Sequence, residues 1–144
     1  MKELDELYQS VILDHNRSPR NFHRLEGATA HAEGRNPLCG DQFEIWLKLD
    51  GELIADVAFL GQGCAISKAS ASMMTQAIKG KTVAEARALF EQFHQVVAGA
   101  GEEKLPAKLE VFRGVSAFPI RVKCATLSWH AMKQALEKRN HAVP

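Results

Sequence analysis

The sequence predicts an α+β fold: an N-terminal helix, a small antiparallel sheet of about three strands, and helices packed on one face of that sheet. Three observations predict it. Residues 42–49 and 53–59 each alternate apolar and polar side chains, and the two runs flank Asp50-Gly51, a dipeptide suited to a tight hairpin turn. Before them, residues 3–15 carry apolar side chains at helical spacing. After them, the pattern changes to small-residue and 3.6-period helical segments and does not return to alternation. At 144 residues the chain is expected to be one domain spanning residues 1–144.

The elements follow in order. Helix 3–15 places Leu4, Leu7, Tyr8, Val11 and Ile12 on one stripe and stops before the polar turn Asn16-Arg17-Ser18-Pro19-Arg20-Asn21. Residues 28–35 form a weak strand candidate of low apolar content. In the first strong strand Phe43, Ile45, Leu47 and Leu49 share one face, while Glu44, Trp46 and Lys48 take the other. Leu53, Ala55, Val57 and Phe59 continue the hairpin until Gly61-Gln62-Gly63 breaks it. Helix 64–79 is rich in small residues that permit close packing, and Gly80 ends it. Thr82-Val83-Ala84-Glu85 is a capping box for the next helix, whose stripe runs from Val83 to Val97. A loop at 99–104 precedes a short helix at 105–113 closed by Gly114. Pro119 opens a last helix, about 119–139, with Ile120, Leu127, Ala131, Ala135 and Leu136 inward. Met73 and Met74 read as core filler.

Composition narrows the function. Eighteen Lys and Arg against seventeen Asp and Glu leave a formal charge of +1, so no basic footprint for nucleic acid exists. No apolar run reaches the roughly 20 residues of a membrane span. The start, Met-Lys-Glu-Leu-Asp-Glu, lacks the pattern of a secretory signal. The expected location is the cytoplasm, with neither nucleic acid nor membrane as partner. His15, Arg17, Arg20, His23 and Arg24 make a local basic segment, either solvated or a docking surface.

The chemistry rests on Cys39, Cys64 and Cys124. An odd number of widely spaced cysteines is no closed disulfide framework. In a reducing compartment they are thiols, metal thiolates or inert core residues. Cys39 lies in a turn, Cys64 opens a helix and Cys124 lies in the first turns of another. A helix start favours thiolate over thiol through its unpaired N–H groups. Asp41 stands two residues from Cys39 across Gly40. A Cys3Asp set would give Zn²⁺ three sulfurs and one oxygen, provided that all four converge. The bland alternatives are buried small hydrophobes for the cysteines and a turn residue for Asp41. A thiol enzyme pairing Cys124 with His130, six residues on, is a third reading.

Three segments together carry a resemblance. Asn36-Pro37-Leu38-Cys39-Gly40-Asp41, Gly61-Gln62-Gly63-Cys64-Ala65-Ile66-Ser67 and Arg121-Val122-Lys123-Cys124-Ala125 resemble, in order, the cysteine motifs of the IscU/NifU-N/SufU family of iron–sulfur assembly proteins. Leu7-Tyr8, Asp14-His15 and Ser18-Pro19-Arg20-Asn21 resemble that family's N-terminal helix and turn. Lys123 stands where IscU proteins have a histidine, and the longer separation of Cys64 from Cys124 is also more similar to SufU. The resemblance implies zinc bound by Cys39, Asp41, Cys64 and Cys124. It implies Cys39 as the acceptor of persulfide sulfur from a pyridoxal-phosphate cysteine desulfurase, with Arg121 and Lys123 as candidate outer groups. Its alternative is a scaffold, not an enzyme, on which a [2Fe–2S] cluster is built from iron and sulfur and passed to recipient apoproteins.

Overall fold

The fold begins from the hairpin that the Asp50-Gly51 pair makes. In the computed structural model Gly51 takes φ of 61°, a left-handed conformation that costs glycine nothing. The structure describes residues 2–101 and 105–141, with side chains described except at 2–8, 107–108 and 139–141. The elements are α1 (Lys2–Arg17), β1 (Ala30–Asn36), β2 (Asp41–Asp50), β3 (Leu53–Gln62), α2 (Ala65–Ile78), α3 (Val83–Val97), a 3₁₀ segment (Ala107–Ala117) and α4 (Pro119–His141). The strands pair antiparallel in the order β1-β2-β3, with a register shift at Lys48/Leu49.

Alternation decides which sheet face is covered. Phe43, Ile45 and Leu47 of β2, with Ala32, Val57 and Phe59 beside them, are fully buried. α4 packs over β1 and β2, and α2 lies against β3 and α4. Removing such side chains from water contributes about 1.5–3 kcal/mol each, which is what holds the helices on this face. The weak candidate at 28–35 is a full edge strand: every residue from Ala30 to Asn36 has a partner on β2. Its low apolar content reflects its edge position, where alternate residues face water.

The opposite face differs from expectation at Trp46, which is only 9% exposed. Its ring stacks on His31 of β1 with centroids 5.5 Å apart, and its neighbour on β3 is the small Ala58. Cross-strand neighbours pack against this aromatic on the face opposite Phe43, Ile45 and Leu47.

Between α1 and β1, the polar turn is fastened down. Asn21 Nδ2 donates to Thr75 Oγ1 at 2.9 Å, and the Phe59 amide donates to Asn21 O at 3.0 Å. His15 is not part of an exposed basic segment. It is 2% exposed, with Nδ1 2.7 Å from Ser72 Oγ, which also accepts from the Arg20 amide at 2.8 Å. The small-residue face of α2 makes room for it. Val11 and Ile12 of the α1 stripe are buried, whereas Leu4, Leu7 and Tyr8 lie outside the described side chains.

Helix α3 starts at the expected capping box. The Glu85 amide donates to Thr82 Oγ1 at 3.1 Å, and the Thr82 amide to Glu85 Oε1 at 3.0 Å. The helix expected at 105–113 is instead a 3₁₀ segment that runs through Gly114 to Ala117. The reason is legible in the burial: Leu109, Phe112 and Val115 are all buried, and three-residue spacing is the period of a 3₁₀ helix. Ile120, expected inward, is 62% exposed because the first turn of α4 projects past the core. Among the described residues, no helix is long and apolar enough to cross a membrane.

Candidate metal centre

The centre lies where three chain segments end or begin. Pro37-Leu38-Cys39-Gly40 joins β1 to β2, and Asn36 and Asp41 face each other as the last pair of that hairpin. Cys39 therefore sits at the hairpin tip, its amide donating to Asn36 O at 3.1 Å. Asp41 opens β2. Cys64 is the N-cap of α2 and Cys124 the sixth residue of α4. Packing of α2 and α4 on the sheet carries the latter two toward the hairpin.

Ligand atoms of Cys39, Asp41 and Cys124 all lie within 4.8 Å of one another, the one such group of three or more metal-ligating side chains among the described residues. The Sγ atoms of Cys39 and Cys124 are 3.4 Å apart. Cys64, the fourth expected ligand, falls outside that group and lies beside it. Its amide donates to Asp41 Oδ1 at 2.9 Å, and its thiol accepts from the Ser67 amide at 3.4 Å. Cys124 and Asp41 are each 2% exposed, whereas Cys39 and Cys64 are half-buried. The arrangement has a closed floor and two sulfurs toward solvent.

One buried oxygen shows that a cation fits. Asp41 Oδ2 is buried and has no hydrogen-bond partner, although the other carboxylate oxygen is satisfied. A buried unpaired carboxylate oxygen is costly, and a cation relieves that cost. Burial also pushes the Cys124 thiol far above its ordinary pKa, and the nearby Cys39, Asp41 and Cys64 push it further. Cys124 on its own is thus a thiol, contrary to the thiolate expected from a helix start. A coordinated divalent metal reverses this, since a coordinating thiol loses its proton outright. Three sulfurs and one carboxylate oxygen form a donor set suited to Zn²⁺.

The structure also shows supporting residues that the spacing did not single out. Asn36 is buried, with Nδ2 3.9 Å from Cys124 Sγ. At Gly63 a Cβ would lie 2.5 Å from both Asp41 Oδ1 and Ser67 Oγ, so glycine is needed for the Asp41–Cys64 approach. Ser67 was legible as the residue three beyond a helix N-cap, where a capping partner falls. Arg121 and Lys123 are exposed, and among the described residues neither bonds to Cys39, Asp41, Cys64 or Cys124. Arg121 instead lies over the Phe118 ring, 4.7 Å from its centroid.

His130 does not pair with Cys124. Its ring packs on Phe90 and His94 of α3, with centroid distances of 5.2 and 5.4 Å. Although the residue is exposed, partial loss of water around its packed ring lowers its pKa, followed by the neighbouring His94 and Lys133, against an opposing effect of Glu91. The unfolded chain therefore binds a proton at His130 more readily than the folded one. This contribution to stability is full above the unfolded value of about 6.5 and falls as pH drops toward the folded value. Urea midpoints measured from pH 7.5 down to pH 5 should decline more steeply in the wild type than in His130→Gln.

Known proteins resemble this chain over nearly its whole length. A family model described as the NifU-like N-terminal domain matches residues 7–142. The zinc-dependent sulfurtransferase SufU of Bacillus subtilis is 44% identical over 137 residues, covering 94% of this chain and 92% of its own. The iron–sulfur cluster assembly scaffold protein IscU of Streptococcus pyogenes is 40% identical over 144 residues, covering 99% and 90%. A crystal structure from Fervidobacterium islandicum, assigned to the assembly scaffolds of the SUF system, superposes with a TM-score of 0.85 at 34% identity, covering 91% of this chain and 97% of that one. With its three-stranded sheet, covering helices and cysteine–aspartate group, this chain belongs to the NifU-like N-terminal domain family of iron–sulfur cluster assembly proteins.

Proposed function

We propose that this chain, acting as a single cytoplasmic domain, binds zinc through Cys39, Asp41, Cys64 and Cys124 and accepts persulfide sulfur from a pyridoxal-phosphate cysteine desulfurase. The observation that carries the reading is the buried, partnerless Oδ2 of Asp41, a residue with a carboxylate oxygen within 4.8 Å of the ligand atoms of Cys39 and Cys124. The zinc-dependent sulfurtransferase at 44% identity supports the choice of metal and chemistry. Bound zinc would keep its sulfur ligands deprotonated at neutral pH.

Cys39 is the acceptor, because it occupies the hairpin tip and is partly open to solvent while Cys124 is buried. Its thiolate attacks the outer sulfur of the desulfurase persulfide. A new S–S bond forms on Cys39, the donor S–S bond breaks, and the desulfurase cysteine leaves as thiolate. The floor formed by Asp41 and Cys124 stays in place. The sulfur then passes to downstream assembly or recipient proteins.

Purified protein should carry about one zinc and raise the turnover of its organism's cysteine desulfurase. Cys39→Ser should keep the fold and abolish that stimulation, read as alanine formed from cysteine. Full stimulation by Cys39→Ser would overturn the assignment. The scaffold reading is favoured by the IscU relative that matches 99% of this chain. It requires that iron and sulfide added without oxygen give a cluster band that survives desalting.

A further inference from the structure

We propose that Ser67 is a positioning residue that makes Cys64 the anchored sulfur of the centre and so leaves Cys39 as the exchangeable one. This rests on the metal-site reading above and adds a residue to it. Ser67 is 1% exposed, in the first turn of α2, and bonds to Cys64 in more than one way. Its amide donates to Cys64 Sγ at 3.4 Å. Its hydroxyl donates to Cys64 O at 3.0 Å, while Oγ lies 3.5 Å from Cys64 Sγ and accepts from that thiol. Oγ thus faces both a carbonyl oxygen and the sulfur.

That geometry suits both states of Cys64. As a thiol, Cys64 donates its proton to Ser67 Oγ. Once the sulfur has lost its proton to bind a metal, the hydroxyl hydrogen can turn from Cys64 O to Sγ, a rotation of one bond. The thiolate then accepts from an amide and a hydroxyl together. Hydrogen bonds to a ligand atom fix its direction and tune its donor strength. The Asp41 carboxylate holds the Cys64 amide from the other side, and the missing side chain at Gly63 lets these groups close up.

Cys39 has no comparable support. Among the described residues, its sulfur bonds to the Cys124 thiol and to no amide or hydroxyl. It hangs from a four-residue connection, whereas Cys64 is held by its amide to Asp41 and by its carbonyl and sulfur to Ser67 in the first turn of α2. The difference predicts which sulfur leaves the metal first.

The test uses the full chain loaded with zinc and treated with limiting iodoacetamide, with modified peptides measured by mass. Cys39 should react several times faster than Cys64. Ser67→Ala should erase that difference, and Ser67→Thr, which keeps the hydroxyl, should restore it. A second readout is the sulfur-to-metal charge-transfer band of the cobalt(II)-loaded protein. Loss of a hydrogen bond raises the sulfur lone pair in energy, so the band should move to longer wavelength in Ser67→Ala and back in Ser67→Thr. If Ser67→Ala fails to fold, the wild-type order of reaction still decides: equal rates at Cys39 and Cys64 overturn the proposal. An unshifted band with Cys64 still protected in Ser67→Ala overturns the Ser67 assignment alone. A wild-type chain with no charge-transfer band overturns the metal reading and this assignment with it.

Discussion

Asp41→Ala is expected to weaken zinc binding by at least about tenfold to 100-fold, the range seen even for groups that only support a ligand. The effect on the metal-free fold should be small, because two costs oppose each other. The substitution removes a buried carboxylate whose Oδ2 has no partner, which relieves the fold. It also leaves the part-buried Cys64 amide without its acceptor, a loss of up to about 1–3 kcal/mol. Metal-free wild type and variant should therefore melt close together. Added zinc should raise the wild-type melting temperature and leave that of the variant almost unmoved. Differential scanning calorimetry with and without zinc checks both halves. A large drop in the metal-free melting temperature would instead make Asp41 a fold-stabilising turn residue.

Trp129→Ala should cost about 3–5 kcal/mol, the cost of emptying a buried aromatic site. Trp129 is fully buried at the junction of three helices. Its ring stacks on Phe93 of α3 with centroids 4.3 Å apart and planes 14° apart. Its Nε1–H donates to Ser70 Oγ of α2 at 3.1 Å, and Ser70 Oγ donates in turn to Ala125 O of α4 at 2.5 Å. The same junction positions Cys64 at the start of α2 and Cys124 in α4, so the loss reaches the centre as well. Urea denaturation should show a lower midpoint with an unchanged slope. Trp129→Phe should lose far less, since it keeps most of the packing and forfeits one hydrogen bond worth about 1 kcal/mol. Near-equal midpoints for Trp129→Ala and wild type would contradict this packing.

These two positions also show what the sequence makes legible. The hairpin, the capped start of α3 and the long last helix depend on local rules: a turn dipeptide, a Thr-x-x-Glu pair and a proline at a first turn. The structure follows those rules. Features set by neighbours distant in sequence are less legible. Burial of Trp46 depends on His31 and Ala58, and burial of His15 depends on Ser72, 57 residues away. The 3₁₀ segment was hidden because a helix of either kind satisfies a short apolar pattern, and only the spacing of Leu109, Phe112 and Val115 tells them apart.

The centre divides in the same way. Cys39 and Asp41 are two residues apart, so their approach was readable from the turn between them. The approach of Cys124 to Cys39 spans 85 residues and came only from the motif resemblance. Ser67 and Asn36 went unassigned because they support sulfur atoms from outside the expected donor set. Lys123 adjoins Cys124 on α4, and adjacent helix positions do not face each other, while Arg121 turns over the Phe118 ring.

The most direct measurement is X-ray absorption at the zinc edge on the purified full chain. Zinc bound as proposed gives three sulfur scatterers near 2.3 Å and one oxygen scatterer near 2.0–2.2 Å. Asp41→Ala should change the oxygen contribution and leave the sulfurs. A wild-type spectrum with two or fewer sulfurs would contradict convergence of Cys39, Cys64 and Cys124 on one metal, and with it the proposed route for sulfur.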